Sequence, residues 1–137
     1  MTLYCDTSSL IKLYISEEGS EDVRALVGSA SVVASSAIAY PEVRATLARL
    51  RRERLLTSAA FTQVKRQFEA DWPSVAAIAL DDSQIREAGA LADRHGLRAL
   101  DGIHLAAFAS IIARAGDDDV EFSSFDERLL KAAMTFG

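Results

Sequence analysis

Four acidic residues stand where the surrounding sequence is apolar enough to form the interior of a domain. Asp6 ends the first short apolar run, and Asp126 directly follows the last one. Glu42 precedes an amphipathic segment, and Asp101 interrupts a largely apolar stretch. A carboxylate alone in apolar surroundings is costly to keep ionised, but several become tolerable when a divalent cation neutralises them. Oxygen ligands select hard ions, so the set is compatible with a site for Mg²⁺ or Mn²⁺.

Each of these acids also has a purely structural interpretation, which the sequence leaves open. Asp6, Glu42 and Asp101 each stand where an acidic side chain can cap a helix or lie in its first turn. Asp126 lies within residues 124–127, whose sequence Ser-Phe-Asp-Glu is typical of a helix capping box. The residue types and positions alone therefore indicate a possible acidic metal site and do not decide between the two interpretations.

The elements that must position the acids follow from the pattern of apolar residues. Short apolar runs predict strands at residues 2–6, 31–35, 75–80 and 120–123. Helical spacing predicts helices at residues 10–14, 20–27, 42–54, 58–71, 82–95, 101–115 and 126–134. This alternation predicts a three-layer α/β/α fold with a central, mostly parallel sheet of four to five strands. Because ligands bind beyond the carboxyl ends of parallel strands, Asp6 and Asp126 are expected at one edge.

Length and composition exclude several classes of protein. The 137 residues favour one domain over residues 1–137, and a hydrophobic fraction of 50% is too high for a mainly disordered chain. No stretch approaches the ~20 apolar residues that a membrane span needs, and the first residues lack the pattern of a signal peptide. The single cysteine, Cys5, cannot form an internal disulfide and is interpreted as a packing residue. We therefore expect a cytoplasmic protein that is not attached to a membrane.

The basic residues are concentrated in one segment, although the net charge of the chain is −5. Residues 43–66 carry seven basic side chains and one acidic side chain, which is an excess of six positive charges. Such asymmetry is typical of a face that binds an anionic partner, and a solvated helical face explains it about equally well.

The four acids lie in segments that together resemble one nuclease family. Residues 3–14 read LYCDTSSLIKLY, an apolar strand ending in Asp, and residues 35–43 read SSAIAYPEV, with Glu near the start of a helix. Residues 97–106 read LRALDGIHLA, and residues 122–133 read FSSFDERLLKAA, where Ser-x-Asp precedes a helix. In this order they resemble the motifs of PIN domains across the whole chain. The size and single-domain build look most like VapC-type toxins of toxin–antitoxin pairs.

The resemblance implies an endoribonuclease that uses Mg²⁺ or Mn²⁺ to activate water for the hydrolysis of RNA, leaving 5′-phosphate and 3′-hydroxyl ends. The catalytic, metal-binding acids that it implies are Asp6, Glu42, Asp101 and Asp126, with Ser8 and Ser124 as supporting hydroxyls. It also implies an RNA substrate, a cognate VapB-like antitoxin protein that lies across the acidic groove, and a homodimer.

The helices predicted at residues 42–71 are expected to carry the partner surfaces. Because an acidic site repels RNA, the basic segment is the only candidate in the sequence for holding the phosphate backbone, and an acidic antitoxin is the alternative partner. The arginines assigned to this contact are Arg44, Arg49, Arg51, Arg52 and Arg54. An exposed Phe61, Phe68 or Trp72 would supply a surface for dimerisation.

Two other functions stay open. An Asp at a strand end also resembles haloacid-dehalogenase-type phosphatases, but these have a second Asp where Ser8 stands, and the expected lysine before Gly116 is missing. A PIN fold that binds RNA or protein without catalysis is the second alternative, which the four intact acids argue against and a metal titration would test. His104 is interpreted as a support of the site or a packed residue, and the acidic run at residues 117–119 as a solvated loop.

Overall fold

The computed structural model describes residues 1–116 and 119–136. Within these residues the chain forms the strands β1 (Thr2–Cys5), β2 (Val32–Ser36), β3 (Ala76–Ile78) and β4 (Val120–Ser123). The α-helices in the same residues are α1 (Thr7–Ile11), α2 (Ser20–Ser29), α3 (Ala39–Arg52), α4 (Ser58–Asp71), α5 (Asp82–His95), α6 (Ala99–Ala115) and α7 (Glu127–Ala133). Short 3₁₀ helices follow α4 at Trp72–Ser74 and α7 at Met134–Phe136.

The strands form a single sheet in the order β3-β2-β1-β4, and every pairing among the described residues is parallel. β1 is therefore a central strand, with Leu3 opposite Val33 of β2 on one side and Glu121 of β4 on the other. Because parallel strands all end at the same edge, the loops that follow β1, β2 and β4 lie side by side. This edge carries Asp6 and Asp126.

Helices cover both faces of the sheet because side chains of a strand alternate between its faces. Tyr4 of β1 packs into a core with Leu105 of α6 and Leu129 of α7. Its neighbours Leu3 and Cys5 point the other way, into a core that α1, α3 and α4 complete. The prediction of a three-layer α/β/α fold is confirmed, and Cys5 is a fully buried packing residue.

Several predicted boundaries differ from the structure, among them β3, which spans Ala76–Ile78 rather than residues 75–80, and α6, which begins at Ala99 rather than at Asp101. Helix α3 begins at Ala39 rather than at Glu42, since Pro41 is accommodated in the first turn, where backbone N–H groups have no helical partner. The sequence predicted a helix at residues 10–14, whereas helix α1 spans Thr7–Ile11 and turns follow it. In the part of the chain that the structure describes, the sheet has four strands, which agrees with the predicted four to five, and residues 134–136 form a 3₁₀ helix. Asp117, Asp118 and Gly137 lie outside the described residues.

The aromatic residues expected on an exposed dimer surface are not exposed. Phe61 and Phe68 of α4 are buried, with 8% and 1% of their surface accessible. Phe68 lies between Tyr14 and Tyr40, and Trp72 is partly buried against the same cluster. The prediction was wrong because the apolar face of α4 packs onto α3 and onto the turns after α1, which leaves Phe61 and Phe68 unavailable to a partner.

No single helix in residues 1–116 or 119–136 is long and apolar enough to cross a membrane. Only α5 and α6 taken together reach that length and composition, and this pair is bent by 111°.

Candidate active site

Three of the predicted acids line one open cleft at the carboxyl edge of the sheet, and the fourth lies behind it. The cleft has a volume of about 1080 Å³. Its lining residues are Glu42, Arg98, Ala99, Leu100, Asp101, Phe125, Asp126, Glu127 and Arg128. Asp6 is buried, but its negative charge contributes to raising the pKa of Asp101. The fold therefore brings together acids that lie in four separate segments of the sequence.

Asp6 is held by hydrogen bonds to both oxygens of its carboxylate. Oδ1 accepts from the hydroxyl of Ser8 at 2.6 Å and from the backbone N–H of Ser9 at 3.0 Å. Oδ2 accepts from the hydroxyl of Ser124 at 2.5 Å. The bond from Ser9 makes Asp6 the N-cap of α1. Asp6 therefore both caps a helix and lies at the site. Ser8 and Ser124 fix the orientation of this acid.

Glu42 lies in the first turn of α3 and belongs to a buried hydrogen-bond network. Its Oε1 accepts from the Thr7 hydroxyl at 2.6 Å and lies 2.9 Å from Nε2 of His104. On the other side of the imidazole, Nδ1 lies 2.8 Å from the hydroxyl of Tyr4, a side chain with no accessible surface. His104 therefore holds a residue of the site in place and is not merely packed in the core.

For a neutral His104 ring, one assignment of protons satisfies both ring nitrogens. Burial and the nearby charge of Asp6 raise the pKa of Tyr4 well above its usual value, so the Tyr4 hydroxyl keeps its proton and donates to Nδ1 of His104. Nε2 then carries the imidazole proton and donates to Glu42. Burial alone would raise the pKa of Glu42, but the hydrogen bonds from His104 and Thr7 outweigh it and hold that pKa below its usual value. Glu42 is therefore kept ionised.

Asp101 and Asp126 lie at the starts of two helices and repel each other. Asp101 is in the first turn of α6, after the N-cap position at Arg98, so it is not the cap of this helix. Asp126 is the N-cap of α7, where its Oδ1 accepts from the backbone N–H of Leu129 at 2.9 Å; the capping box expected at residues 124–127 does not form. Burial, followed by the charges of Asp126 and Asp6, raises the pKa of Asp101 above its usual value. The cleft thus concentrates negative charge.

The donor atoms of the cleft fit a hard divalent cation by their chemistry. In residues 1–116 and 119–136, no group of three or more His, Cys, Asp or Glu side chains is already gathered closely enough to hold a metal ion. The hydrogen bonds among these described residues occupy Oε1 of Glu42 and Oδ1 of Asp126. The second carboxylate oxygen of each acid is therefore available to bind a cation. Carboxylate oxygens are the ligands that Mg²⁺ and Mn²⁺ prefer. Holding such an ion requires these side chains to turn toward one another.

Four of the five predicted arginines lie in α3 and Arg54 follows its end, and three of the five contact other side chains of the protein. Arg44 pairs with Glu69 of α4 at 2.6 Å, and Arg49 pairs with Glu53 at 2.9 Å. The guanidinium of Arg51 lies 4.2 Å from the centre of the Phe61 ring. Arg52 and Arg54 are exposed near the carboxyl end of α3, roughly 15 Å along the helix from Glu42 by helical rise. None of these five arginines is among the residues that line the cleft.

Comparison with known proteins places the chain in a family. It matches the family model described as PIN domain over residues 3–133. The chain belongs to the PIN-domain family. It is 34% identical over 135 residues to ribonuclease VapC45 of Mycobacterium tuberculosis (strain CDC 1551 / Oshkosh) and to ribonuclease VapC49 of Mycobacterium tuberculosis (strain ATCC 25618 / H37Rv). Each match covers 98% of this chain and 91% of the relative. The comparison sets the phosphatase alternative aside.

Among the side chains that line the cleft of this PIN domain, sequence reasoning missed two arginines, an aromatic ring and a further acid, Glu127. Arg98 directly precedes α6, and Arg128 is in the first turn of α7, where its Nη1 donates to the carbonyl of Gly96 at 3.2 Å. The basic segment is therefore not the only candidate for holding phosphate. Phe125 adds an exposed aromatic ring. Each is adjacent or close to a predicted acid in the sequence, and that proximity was the available signal.

Proposed function

We propose that this PIN domain is an endoribonuclease dependent on Mg²⁺ or Mn²⁺, and that it acts as the toxin of a toxin–antitoxin pair. The observation that carries the proposal is the similarity over nearly the whole chain to two ribonucleases, in a fold that gathers four acids at one cleft. Non-catalytic binding is the alternative, and the cleft does not favour it because a surface that only binds RNA gains nothing from concentrated negative charge.

The four acids Asp6, Glu42, Asp101 and Asp126 would hold the cation. When bound, the ion supplies positive charge that activates water for attack on a phosphodiester and offsets the charge developing on the phosphate oxygens. The protein's own contribution is orientation. Ser8 and Ser124 hold Asp6 through both of its oxygens. Burial and the repulsion from Asp126 and Asp6 raise the pKa of Asp101, and the same concentration of negative charge makes the cleft attractive to a cation.

His104 and Thr7 hold the fourth side chain, Glu42, in its ionised form with one oxygen turned into the network. Arg98 and Arg128 stand beside the acids, where their charge offsets the repulsion between the cleft and an RNA backbone. No side chain is required as a nucleophile. Burial, together with the charge of Asp6, raises the pKa of the Cys5 thiol to about 12, so this neighbour of Asp6 stays a neutral thiol.

Substitution of two acids that cap helices tests the proposal without removing the caps. Asp6→Asn and Asp126→Asn each remove a ligand charge but keep an oxygen that can accept the capping bond from Ser9 or Leu129. Both variants are expected to fold and to lose RNA cleavage. Asp81→Asn is a matched control, because Asp81 caps α5 through Gln84 and does not line the cleft. Cleavage of tRNA or single-stranded RNA by a folded Asp126→Asn protein at near wild-type rate would refute the proposal.

Metal dependence has its own measurement. Cleavage is expected to stop in EDTA and to return when Mg²⁺ or Mn²⁺ is added, and a titration of each ion ranks the two. Cleavage that persists after complete chelation would contradict the metal-dependent mechanism while leaving ribonuclease activity in place. Binding of RNA without cleavage under any metal would favour the non-catalytic alternative.

The toxin role, a VapB-like antitoxin partner, a cytoplasmic location and a homodimer are parts of the same proposal. Similarity to ribonucleases of the VapC series supports the toxin role and the antitoxin. Induced synthesis in a bacterium is expected to arrest growth, Asp126→Asn is expected to abolish the arrest, and co-expression of a small neighbouring reading frame is expected to relieve it. Light scattering tests the homodimer; a monomer mass at micromolar concentration would overturn it. If a dimer forms, its surface does not include Phe61 or Phe68, which are buried.

A further inference from the structure

Phe125 is an exposed aromatic side chain whose presence in the acidic cleft is not explained by packing or by metal chemistry. With 47% of its surface accessible, it lines the cleft together with the acids and directly precedes Asp126. An apolar ring of this size gains free energy only when something covers it, since exposed apolar surface is unfavourable in water. Its location suggests that the covering group is part of the ligand of the cleft.

The ring is held in place from one side. The ammonium group of Lys12 lies 4.4 Å from the ring centre, and this lysine is itself fixed by Glu17 at 2.9 Å. Gly19, at φ +91°, approaches the edge of the ring so closely that a Cβ atom there would lie 2.7 Å from Phe125 Cε1. Lys12 and Gly19 therefore cover part of the ring, while 47% of the surface of Phe125 stays accessible.

The backbone around Phe125 is tied to the acids. Its N–H donates to the hydroxyl of Ser8 at 3.0 Å, and the same hydroxyl donates to Asp6 at 2.6 Å. The preceding residue, Ser124, also donates to Asp6, and it accepts from the N–H of Asp126 at 3.0 Å. The ring therefore has a fixed position relative to the carboxylates. A ligand group that covers the ring is therefore held at a fixed distance from the carboxylates.

We propose that Phe125 is a stacking platform for the base of a nucleotide whose phosphate lies at the acids. This inference rests on the proposed ribonuclease function and adds how the site holds its substrate. Every base has a π-face, so stacking on an aromatic ring holds single-stranded RNA with little sequence preference. Arg98 and Arg128 line the same cleft and provide positive charge for the flanking phosphates. These cations favour a nucleotide over a protein side chain as the occupant.

Binding measurements with two oligomers isolate the contribution of the bases. Asp101→Asn prevents cleavage under the proposed function and does not alter the loop that carries Phe125, so it serves as the common background. The probes are a fluorescent single-stranded oligoadenylate and an abasic ribose-phosphate oligomer of the same length. Affinities are compared for the background protein and for the added variants Phe125→Tyr, which keeps an aromatic ring, and Phe125→Leu, which keeps apolar volume.

Phe125→Leu is expected to weaken binding of oligoadenylate about tenfold and to leave binding of the abasic oligomer unchanged. Phe125→Tyr is expected to retain the affinity for both. Equal losses on both oligomers would overturn the proposal, because the ring would then act only through the loop or the phosphates. No loss on either would also overturn it and would assign the ring to a protein partner.

A second readout keeps the proposal testable if Phe125→Leu lowers stability. A single 2-aminopurine in an oligouridylate is quenched when it stacks, so its fluorescence is expected to fall on binding to the background protein. The fall is expected to be smaller with Phe125→Leu at saturation, and an equal fall would contradict the proposal. Failure of the ribonuclease proposal has a different signature: the wild-type chain would cleave no RNA in Mg²⁺ even if the stacking results held.

Discussion

Nε2 of His104 lies 2.9 Å from Oε1 of Glu42, although 62 residues separate them in the sequence. The tautomer that makes this contact is set on the far side of the ring by the buried hydroxyl of Tyr4. A first-turn glutamate of α3 is thus oriented by the interior of the domain. This resembles the way that groups behind a metal site orient its ligands, where their loss typically costs 10–100-fold in metal affinity or activity.

His104→Gln and His104→Asn separate orientation from packing. The amide nitrogen of Gln can occupy the place of Nε2 and still donate to Glu42, whereas that of Asn falls nearer to Nδ1. His104→Asn is expected to lower Mn²⁺ affinity and cleavage about 10–100-fold, and His104→Gln is expected to retain most of both. Calorimetric titration with Mn²⁺ measures the difference. Equal losses in the two variants, in step with their thermal stabilities, would reduce His104 to a packing role.

Asp101→Asn is expected to stabilise the protein when metal is absent. The raised pKa of Asp101 means that the folded state binds the proton more tightly than the unfolded chain, whose pKa is near 3.8. The stability that this difference provides is present below the unfolded pKa and is lost as pH rises through the folded pKa. At neutral pH the variant should therefore melt at a higher temperature in EDTA, and its advantage should shrink on acidification. A variant that melts lower at neutral pH would contradict the repulsion.

Gly102→Ala is expected to destabilise the domain by about 1–3 kcal/mol, through overpacking. A Cβ atom at Gly102 in α6 would lie 2.6 Å from the carbonyl oxygen of Ala88 in α5, so one helix must move. The matched control is Gly89→Ala, since a Cβ there meets nothing within 4 Å and Ala is favoured over Gly inside a helix by about 1 kcal/mol. Denaturant unfolding should give opposite signs for the two variants. If both substitutions changed the free energy of unfolding in the same direction, the close approach of α5 and α6 would not explain the effect of Gly102→Ala.

The salt dependence of RNA binding distinguishes the arginines of the cleft from those of α3. Each phosphate contact to single-stranded RNA contributes about −0.7 to the slope of log affinity against log salt concentration. Arg98→Gln with Arg128→Gln should therefore flatten the slope by roughly 1.4 in a cleavage-deficient background. Arg51→Gln with Arg52→Gln makes the same change in charge and should alter it less. An unchanged slope after the α3 pair is removed would assign that segment to a protein partner.

Local signals explain why the layers of the fold were predictable. Apolar runs bounded by polar residues identify β1, β2 and β4, and parallel pairing then places Asp6 and Asp126 at one edge. The start of α3 was not predicted correctly: the helix was expected from Glu42, but it begins at Ala39 and includes Pro41 in its first turn, a position that tolerates proline.

Contacts between distant helices could not be predicted from one sequence. The Glu42–His104 hydrogen bond depends on how α3 and α6 meet at the end of β1, and the burial of Phe68 depends on how α4 packs onto α3. The sequence also did not show which basic side chains line the cleft. Apart from its proximity to Asp126, nothing in the local sequence singles out Arg128, which lines the cleft because of the position of α7.

The central position of β1 has a consequence for synthesis of the protein. Asp6 directly follows β1 and is synthesised well before Ser124, the residue that orients it from a position 118 residues later in the sequence. Contacts of such long sequence separation form late in folding. Stalled nascent chains that end before β4 are expected to show no cleavage, since Asp126 and its loop are missing. Under the proposed ribonuclease function, a chain that is still being synthesised therefore becomes active only after almost the whole domain has been made.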